Sequence, residues 1–147
     1  MKLEGSFEVP SPPESVWKIL TDPSRLSRAL PDLRKFEPRD AGSFYAEFRL
    51  KVGLLSGNIG MLFRYTDLRE PSHISVTGHG TGMQSTVDLR IDLDLIEQEK
   101  GRSLVKWAAD VSVGGVAASL GARIMEDLAK SKVRELVANL KKVASTR

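Results

Sequence analysis

Cysteine is absent from these 147 residues, which removes disulfides, thiolate nucleophiles and Cys-based zinc or iron–sulfur sites from consideration. Histidine occurs only twice, as His73 and His79. Aromatic residues are scarce at 6%, with five Phe, two Trp and two Tyr. No basic run is interleaved with them, so a stacking surface for nucleic acid is not expected. Long apolar runs are missing as well. The longest uncharged stretch, Val111 to Ala122, contains three glycines and falls short of the roughly 20 residues that span a bilayer. Met1-Lys2-Leu3-Glu4 leads straight into an alternating pattern with no apolar h-region, so no secretory leader is expected and the reading is cytoplasmic.

What remains is an ordinary globular balance of 41% hydrophobic and 28% charged residues with a net charge of +3. A chain of this length is expected to form one domain over residues 1–147 and to bury roughly 68–70% of its unfolded surface. The pI near 9.3 permits contact with anionic surfaces without arguing for it.

From Lys2 to Val9 apolar residues alternate (Leu3, Phe7, Val9), the period of a half-buried strand. Ser11-Pro12-Pro13-Glu14 reads as a capping box opening a short helix through Val16, Trp17, Ile19 and Leu20. Asp22-Pro23 starts a second helix that Pro31 ends. Strand-like runs follow at Leu33 to Arg39, Phe44 to Val52, Asn58 to Leu68, Ile74 to Gly78, Thr86 to Ile96 and Leu104 to Val113, with connections short enough for hairpins. Alternation is cleanest in Val87 to Leu95 and in Val105, Trp107, Ala109, Val111 and Val113. Such a sheet has one wet face, and its apolar face needs a cover. Val116 to about Val143 supplies it as a helix of roughly 28 residues and roughly 42 Å. The order of elements predicts an α+β layout: a meandering antiparallel sheet of about seven strands, two short helices after the first, and one long C-terminal helix across it.

At about 100° per residue, Met125, Ala129, Leu136, Leu140 and Val143 share one helix face, extended toward the helix start by Leu120, Ile124 and Leu128. Lys132 falls among them and is expected to snorkel out at an edge. Arg123, Lys130, Arg134 and Lys141 form a basic stripe on another side, either a solvated face or a contact with anionic lipid or an acidic partner.

Gly78-His79-Gly80-Thr81-Gly82 has the look of a phosphate loop, but an alternating strand follows it and not a helix. Without a helix N-terminus it reads as a bulged or turning segment between strands. Asp88, Asp92 and Asp94 share the face opposite the apolar one, with Arg90 between them, and read as solvated surface, not a metal site. A Ser-His-Asp site through His73 or His79 has no supporting spacing.

Four segments resemble the carbon monoxide dehydrogenase G-subunit family of the START-like, or polyketide cyclase-like, superfamily. They are Phe7 to Leu20 with its Val16-Trp17 pair, Asp22-Pro23 through Leu30-Pro31, Gly78 to Gly82, and Val113-Gly114-Gly115 through Leu120-Gly121-Ala122-Arg123. The resemblance implies the helix-grip fold, a curved antiparallel sheet wrapped around the C-terminal helix over a cavity of variable content. It also implies a cytoplasmic accessory protein of molybdenum-containing CO dehydrogenase-like oxidoreductases, acting in maturation, membrane recruitment or carriage of a lipid or quinone. Two departures stand out: Leu136-Val137 where relatives tend to carry phenylalanines, and a glycine segment that reaches the Val87 strand sooner. Relatives also continue into a tail where this chain ends at Arg147, so membrane contact is expected to be peripheral.

Three functional expectations follow. The first is a noncatalytic carrier or accessory protein without a cofactor, in which Phe48, Leu50, Met61, Phe63, Trp107, Val111, Leu120, Ile124 and Leu128 line an apolar cavity for a lipid or quinone-like guest. The second is a cyclase- or hydrolase-type enzyme in the same cavity, which requires His79, Lys132 or Asp110 to point inward. The third is a docking module without a guest, using Arg123, Lys130, Arg134 and Lys141 to recruit an oxidoreductase to the inner membrane face.

Overall fold

The computed structural model describes residues 1–99 and 101–145; Lys100, Thr146 and Arg147 lie outside the described residues. Strand β1 (Lys2–Val9) is followed by helices α1 (Pro13–Thr21) and α2 (Pro23–Leu26). Six strands then meander: β2 (Leu33–Pro38), β3 (Ser43–Val52), β4 (Leu55–Arg69), β5 (His73–Gly82), β6 (Ser85–Glu97) and β7 (Ser103–Gly115). A 3-10 turn (Val116–Leu120) leads into helix α3 (Ala122–Ser145). The strands form one antiparallel sheet in the order β1-β7-β6-β5-β4-β3-β2, so β1 lies at one edge and β2 at the other. The chain crosses between those edges through α1 and α2. This is the helix-grip arrangement.

Local chemistry explains the boundaries, including those the sequence misplaces. No capping box forms at α1: Pro12 is the N-cap, at φ −70° and ψ 158°, and no side chain caps it. Pro13 holds the preceding residue in the extended region, so the helix starts one residue too late for Ser11 to serve. The Ser11 carbonyl instead accepts from Ser103 Oγ at 2.7 Å. At α2 the Asp22 carboxylate does cap the Ser24 N–H, at 3.1 Å. That helix closes at Leu26, and the chain continues toward Pro31 in i→i+3 turns such as Ala29 N–H to the Leu26 carbonyl, 2.9 Å.

The glycine segment is neither bulge nor turn. Gly78 and Gly80 sit within β5, paired with Phe63 and Met61 of β4 and with Leu89 and Val87 of β6. Their lack of a side chain is what the packing uses. A Cβ on Gly78 would lie 2.9 Å from the Phe63 ring, and one on Gly80 would collide with the Met61 sulfur. The irregularity in this pair of strands lies elsewhere, between Tyr65 and Asp67.

The long helix begins at Ala122, six residues after the expected start. Gly121 adopts φ 97° and ψ 154°, a conformation essentially reserved for glycine, and it breaks the helical phase between Leu120 and Ile124. α3 is therefore 24 residues long, about 36 Å. Ile124, expected on the inner face, is 46% exposed: it lies about 100° around the helix from buried Met125, at the margin of that face.

The densest core lies at one end. Val9, Val16, Trp17, Ile19, Leu20, Ile74, Leu95 and Val105 pack with Leu140 and Val143 from the last turns of α3. The Asn139 side-chain amide donates to the Ala29 carbonyl at 3.1 Å, tying the same helix end to the segment after α2. The first half of α3 lies over the opposite end of the sheet, where only Met125 is buried.

Gly121→Ala tests the break directly, because nothing lies within 4 Å of a Cβ placed there and only backbone strain remains. We expect a loss of about 1–3 kcal/mol in unfolding free energy, measured by urea denaturation.

Candidate functional site

The inner faces of the strands follow from alternation and register. Phe44, Ala46, Phe48, Leu50 and Val52 of β3 face inward, with Ile59, Met61, Phe63 and Tyr65 of β4 beside them. Val87 to Leu95 of β6 and Val105 to Val113 of β7 continue the apolar face at alternate positions. α3 does not fill the space above it. Two apolar cavities lie between sheet and helix, of about 180 Å³ and about 170 Å³.

The first, the tip cavity, lies beside the β3–β4 and β5–β6 hairpins and is walled by Leu50, Val52, Ile59, Val87, Val111 and Val113 under Leu120, Met125, Leu128 and Ala129. The second, the core-side cavity, adjoins the core described above and is walled by Phe44, Phe63, Ile91, Leu93 and Trp107 under Val133, Leu136, Val137 and Leu140. Leu136 and Val137 stand where bulkier phenylalanines would take up part of this space.

The nine residues expected to line one cavity are thus divided. Leu50, Val111, Leu120 and Leu128 border the tip cavity, Phe63 and Trp107 the core-side cavity, and Phe48, Met61 and Ile124 border neither. Ile124 faces solvent for the reason given above. Met61 is 4% exposed, and Phe48 meets Phe63 edge-on at 6.4 Å; both lie between the two hollows.

Polar groups on these walls are few and engaged. Ser85, beside the tip cavity, donates to the Met83 carbonyl at 3.0 Å and accepts from the Ala117 N–H at 2.9 Å. Tyr65, beside the core-side cavity, donates to the Leu20 carbonyl at 2.5 Å, and burial pushes its phenol up, away from ionisation. Lys132 is the ionised side chain of the tip cavity. Its ammonium reaches Asp32 at 2.6 Å and Glu135 at 3.0 Å. The hydrogen bond it donates to Asp32 is the largest influence and raises its pKa, against some desolvation, with Glu135 adding to the rise. Asp32, at φ 61° just before β2, is a partner that sequence patterning does not reveal: one hundred residues separate the two.

The remaining titratable candidates lie on the outer face. His79 pairs with Asp88 at 2.6 Å and is 64% exposed. Asp110 belongs to the same outer surface, with Arg90 and Ser112. His73 Nε2 meets Ser75 Oγ at 2.9 Å and its Nδ1 meets Asp94 at 2.8 Å. That set has the connectivity of a Ser-His-Asp triad, but Ser75 is 2% exposed and its hydroxyl donates to Asp92 at 2.5 Å. A nucleophile so covered and so committed has no approach for substrate. No group of three metal-ligating side chains occurs among the described residues.

Arg123, Lys130, Arg134 and Lys141 are all exposed on α3. Among the described residues only Lys130 of the four is ion-paired, with Glu126 at 2.8 Å. No helix among the described residues is long and apolar enough to cross a membrane.

Comparison with known proteins adds the following. A family model described as CoxG, the G subunit of carbon monoxide dehydrogenase, matches residues 5–145. Among solved structures, a conserved protein from Geobacillus kaustophilus superposes with a TM-score of 0.92 at 23% identity, covering 99% of this chain and 95% of that one. A START superfamily protein from Mycobacterium smegmatis gives 0.71 at 12% identity, covering 96% and 94%. The Zhui aromatase/cyclase from Streptomyces sp. R1128 gives 0.69 at 14% identity, covering 97% and 93%. At such identities these likenesses establish the fold. No curated protein matches the chain significantly.

The Lys132 link has a signed pH dependence. A raised lysine pKa contributes stability that is fully present below the unfolded value near 10.5 and is lost as pH rises through the folded value. Lys132→Met should therefore cost about 0.2–1 kcal/mol near neutrality, the range for a partly solvated pair. The gap from the wild type should close above pH 10.5. Urea midpoints of both proteins across an alkaline series check this; a gap that ignores pH would contradict the assignment.

Proposed function

Since the chain belongs to the carbon monoxide dehydrogenase G-subunit (CoxG) family, we propose that it is a noncatalytic carrier or accessory protein that holds a lipid- or quinone-like molecule between the sheet and α3. Its service is to a molybdenum-containing oxidoreductase, from a cytoplasmic position with peripheral contact at the inner membrane face. The observation that carries this reading is the pair of apolar cavities beneath a helix that leaves them unfilled. Protein interiors ordinarily close such spaces. An apolar cavity of about 150 Å³ stays dry and accepts benzene, so each of these suits a guest of about one ring. Together they reach the lower end of the roughly 300–1,000 Å³ typical of ligand pockets.

Leu50, Val111, Leu120 and Leu128 would contact one part of the guest, and Phe63 and Trp107 another. Affinity would come from burial, at roughly 25 cal/mol per Å² of apolar area before the costs of association. Acid–base chemistry finds little support on these walls. Tyr65 is committed to the Leu20 carbonyl, and Lys132 is held charged by Asp32.

A second reading, docking without a guest, rests on the exposed Arg123, Arg134 and Lys141, with Lys130 partly neutralised by Glu126. Filling the cavities separates the two. Ala129→Phe fills the tip cavity and Val137→Phe the core-side one. Each should weaken binding of an apolar naphthalene-type fluorescent probe by about tenfold or more, equivalent to about 1.4 kcal/mol, with the cooperative melt retained. Unchanged probe affinity in both variants would contradict the carrier reading. A docking module would be indifferent to both plugs and sensitive to charge reversal at Arg134 and Lys141.

A further inference from the structure

The boundary between the two cavities is one inward residue deep on β4 and β6, at Met61 and Leu89, and two deep on β3, at Ala46 and Phe48, and of these Met61 is the one whose chemistry lets it move. On β4, Ile59 lines the tip cavity and Phe63 the core-side cavity, with Met61 alone on the inner face between them. On β5, Gly82 and Val76 line the two cavities, and between them the inner face carries Gly80 and Gly78. The Met61 sulfur occupies the place a Gly80 side chain would take, and the Leu89 and Phe63 side chains lean over Gly78. On α3, Lys132 and Val133 are successive residues facing different cavities, so the helix contributes no separate wall.

We propose that the two cavities are halves of one site, and that its guest is a single elongated apolar chain that passes from one to the other when Met61 turns aside. This rests on the carrier reading above and adds the guest's shape to it. Methionine is unbranched, with three rotatable bonds and a polarisable thioether, and it repacks where a branched or aromatic residue would not. The glycines opposite offer no side chain to restrain it. From Val87 to Leu93, both of which line the site, the track measures about 20 Å at roughly 3.4 Å per residue. That suits a chain and not a compact ring system. One molecule occupying both halves also loses its translational freedom once, where two separate guests lose it twice.

A series of linear primary alcohols from butanol to hexadecanol, titrated calorimetrically into the wild type, Met61→Phe and Met61→Ala, tests this. In the wild type each added methylene should strengthen binding by about fourfold, beyond the length that one cavity holds, at one molecule per protein for the longer members. Met61→Phe puts a rigid ring in the divide. The short alcohols should then bind within about twofold of wild type while the gain with length stops early, leaving hexadecanol weaker by at least about tenfold. Met61→Ala should keep the full dependence on length, which shows that loss in the Phe variant reflects blockage. Two short alcohols per wild-type protein, with no further gain for long ones and no effect of Met61→Phe, would overturn the proposal and leave the carrier reading intact. Failure of every alcohol to bind would remove the carrier reading itself, and this proposal with it.

Discussion

A single helix cannot cover a seven-stranded sheet. With strands about 4.8 Å apart the sheet is about 29 Å wide, whereas a helix with its side chains is only about 10–12 Å across. Curvature brings the edges up around α3, and α1 with α2 spans from the β1 edge to the β2 edge. These added helices serve one end only. There Trp17, Ile19 and Leu20 complete the core with Leu140 and Val143, and Asn139 fixes the helix end by its hydrogen bond to Ala29. Toward the other end α3 has no second helix beside it. Gly121 and the 3-10 turn before it set the helix entry, and the inner residues of β3, β6 and β7 face open volume.

That volume is energetically significant. Its apolar walls forgo the contacts that a filled interior would give them. Gly78 and Gly80 do not add to that volume, since the space over them is taken by Phe63, Leu89 and Met61. An apolar occupant recovers the lost contacts without adding an unsatisfied polar atom, and among the described residues no buried side-chain polar atom lacks a partner. The walls thus favour a guest that asks for burial more than for hydrogen bonds.

The sequence made the fold legible where a pattern is local. Val87 to Leu95 alternates so regularly that its inner and outer faces, including Asp88, Asp92 and Asp94 outside, follow from the residues alone. The strongly amphipathic second half of α3 is equally clear. Failures come where backbone geometry overrides side-chain pattern. Pro13 forces Pro12 out of the helix and removes the expected capping box, and Gly121 interrupts a helix that composition alone would run on from Val116. Non-local features are hidden for a different reason. The Lys132–Asp32 contact joins segments one hundred residues apart, and the placement of Met61 between cavities depends on cross-strand register. Alternation can tell that Phe48 and Met61 face inward, but not that they divide the space they face.

The outer surface has its own order, with His73, Ser75, Asp92 and Asp94 linked across β5 and β6 and Arg123, Arg134 and Lys141 of α3 exposed. The most direct test of the account is native mass spectrometry of the protein purified from its own host, followed by solvent extraction and identification of what is released. The account predicts one apolar molecule per chain, released by organic solvent and absent from a variant carrying both cavity-filling substitutions. An unliganded protein that nevertheless co-purifies with an oxidoreductase would contradict it and make docking, without a guest, the function of the chain.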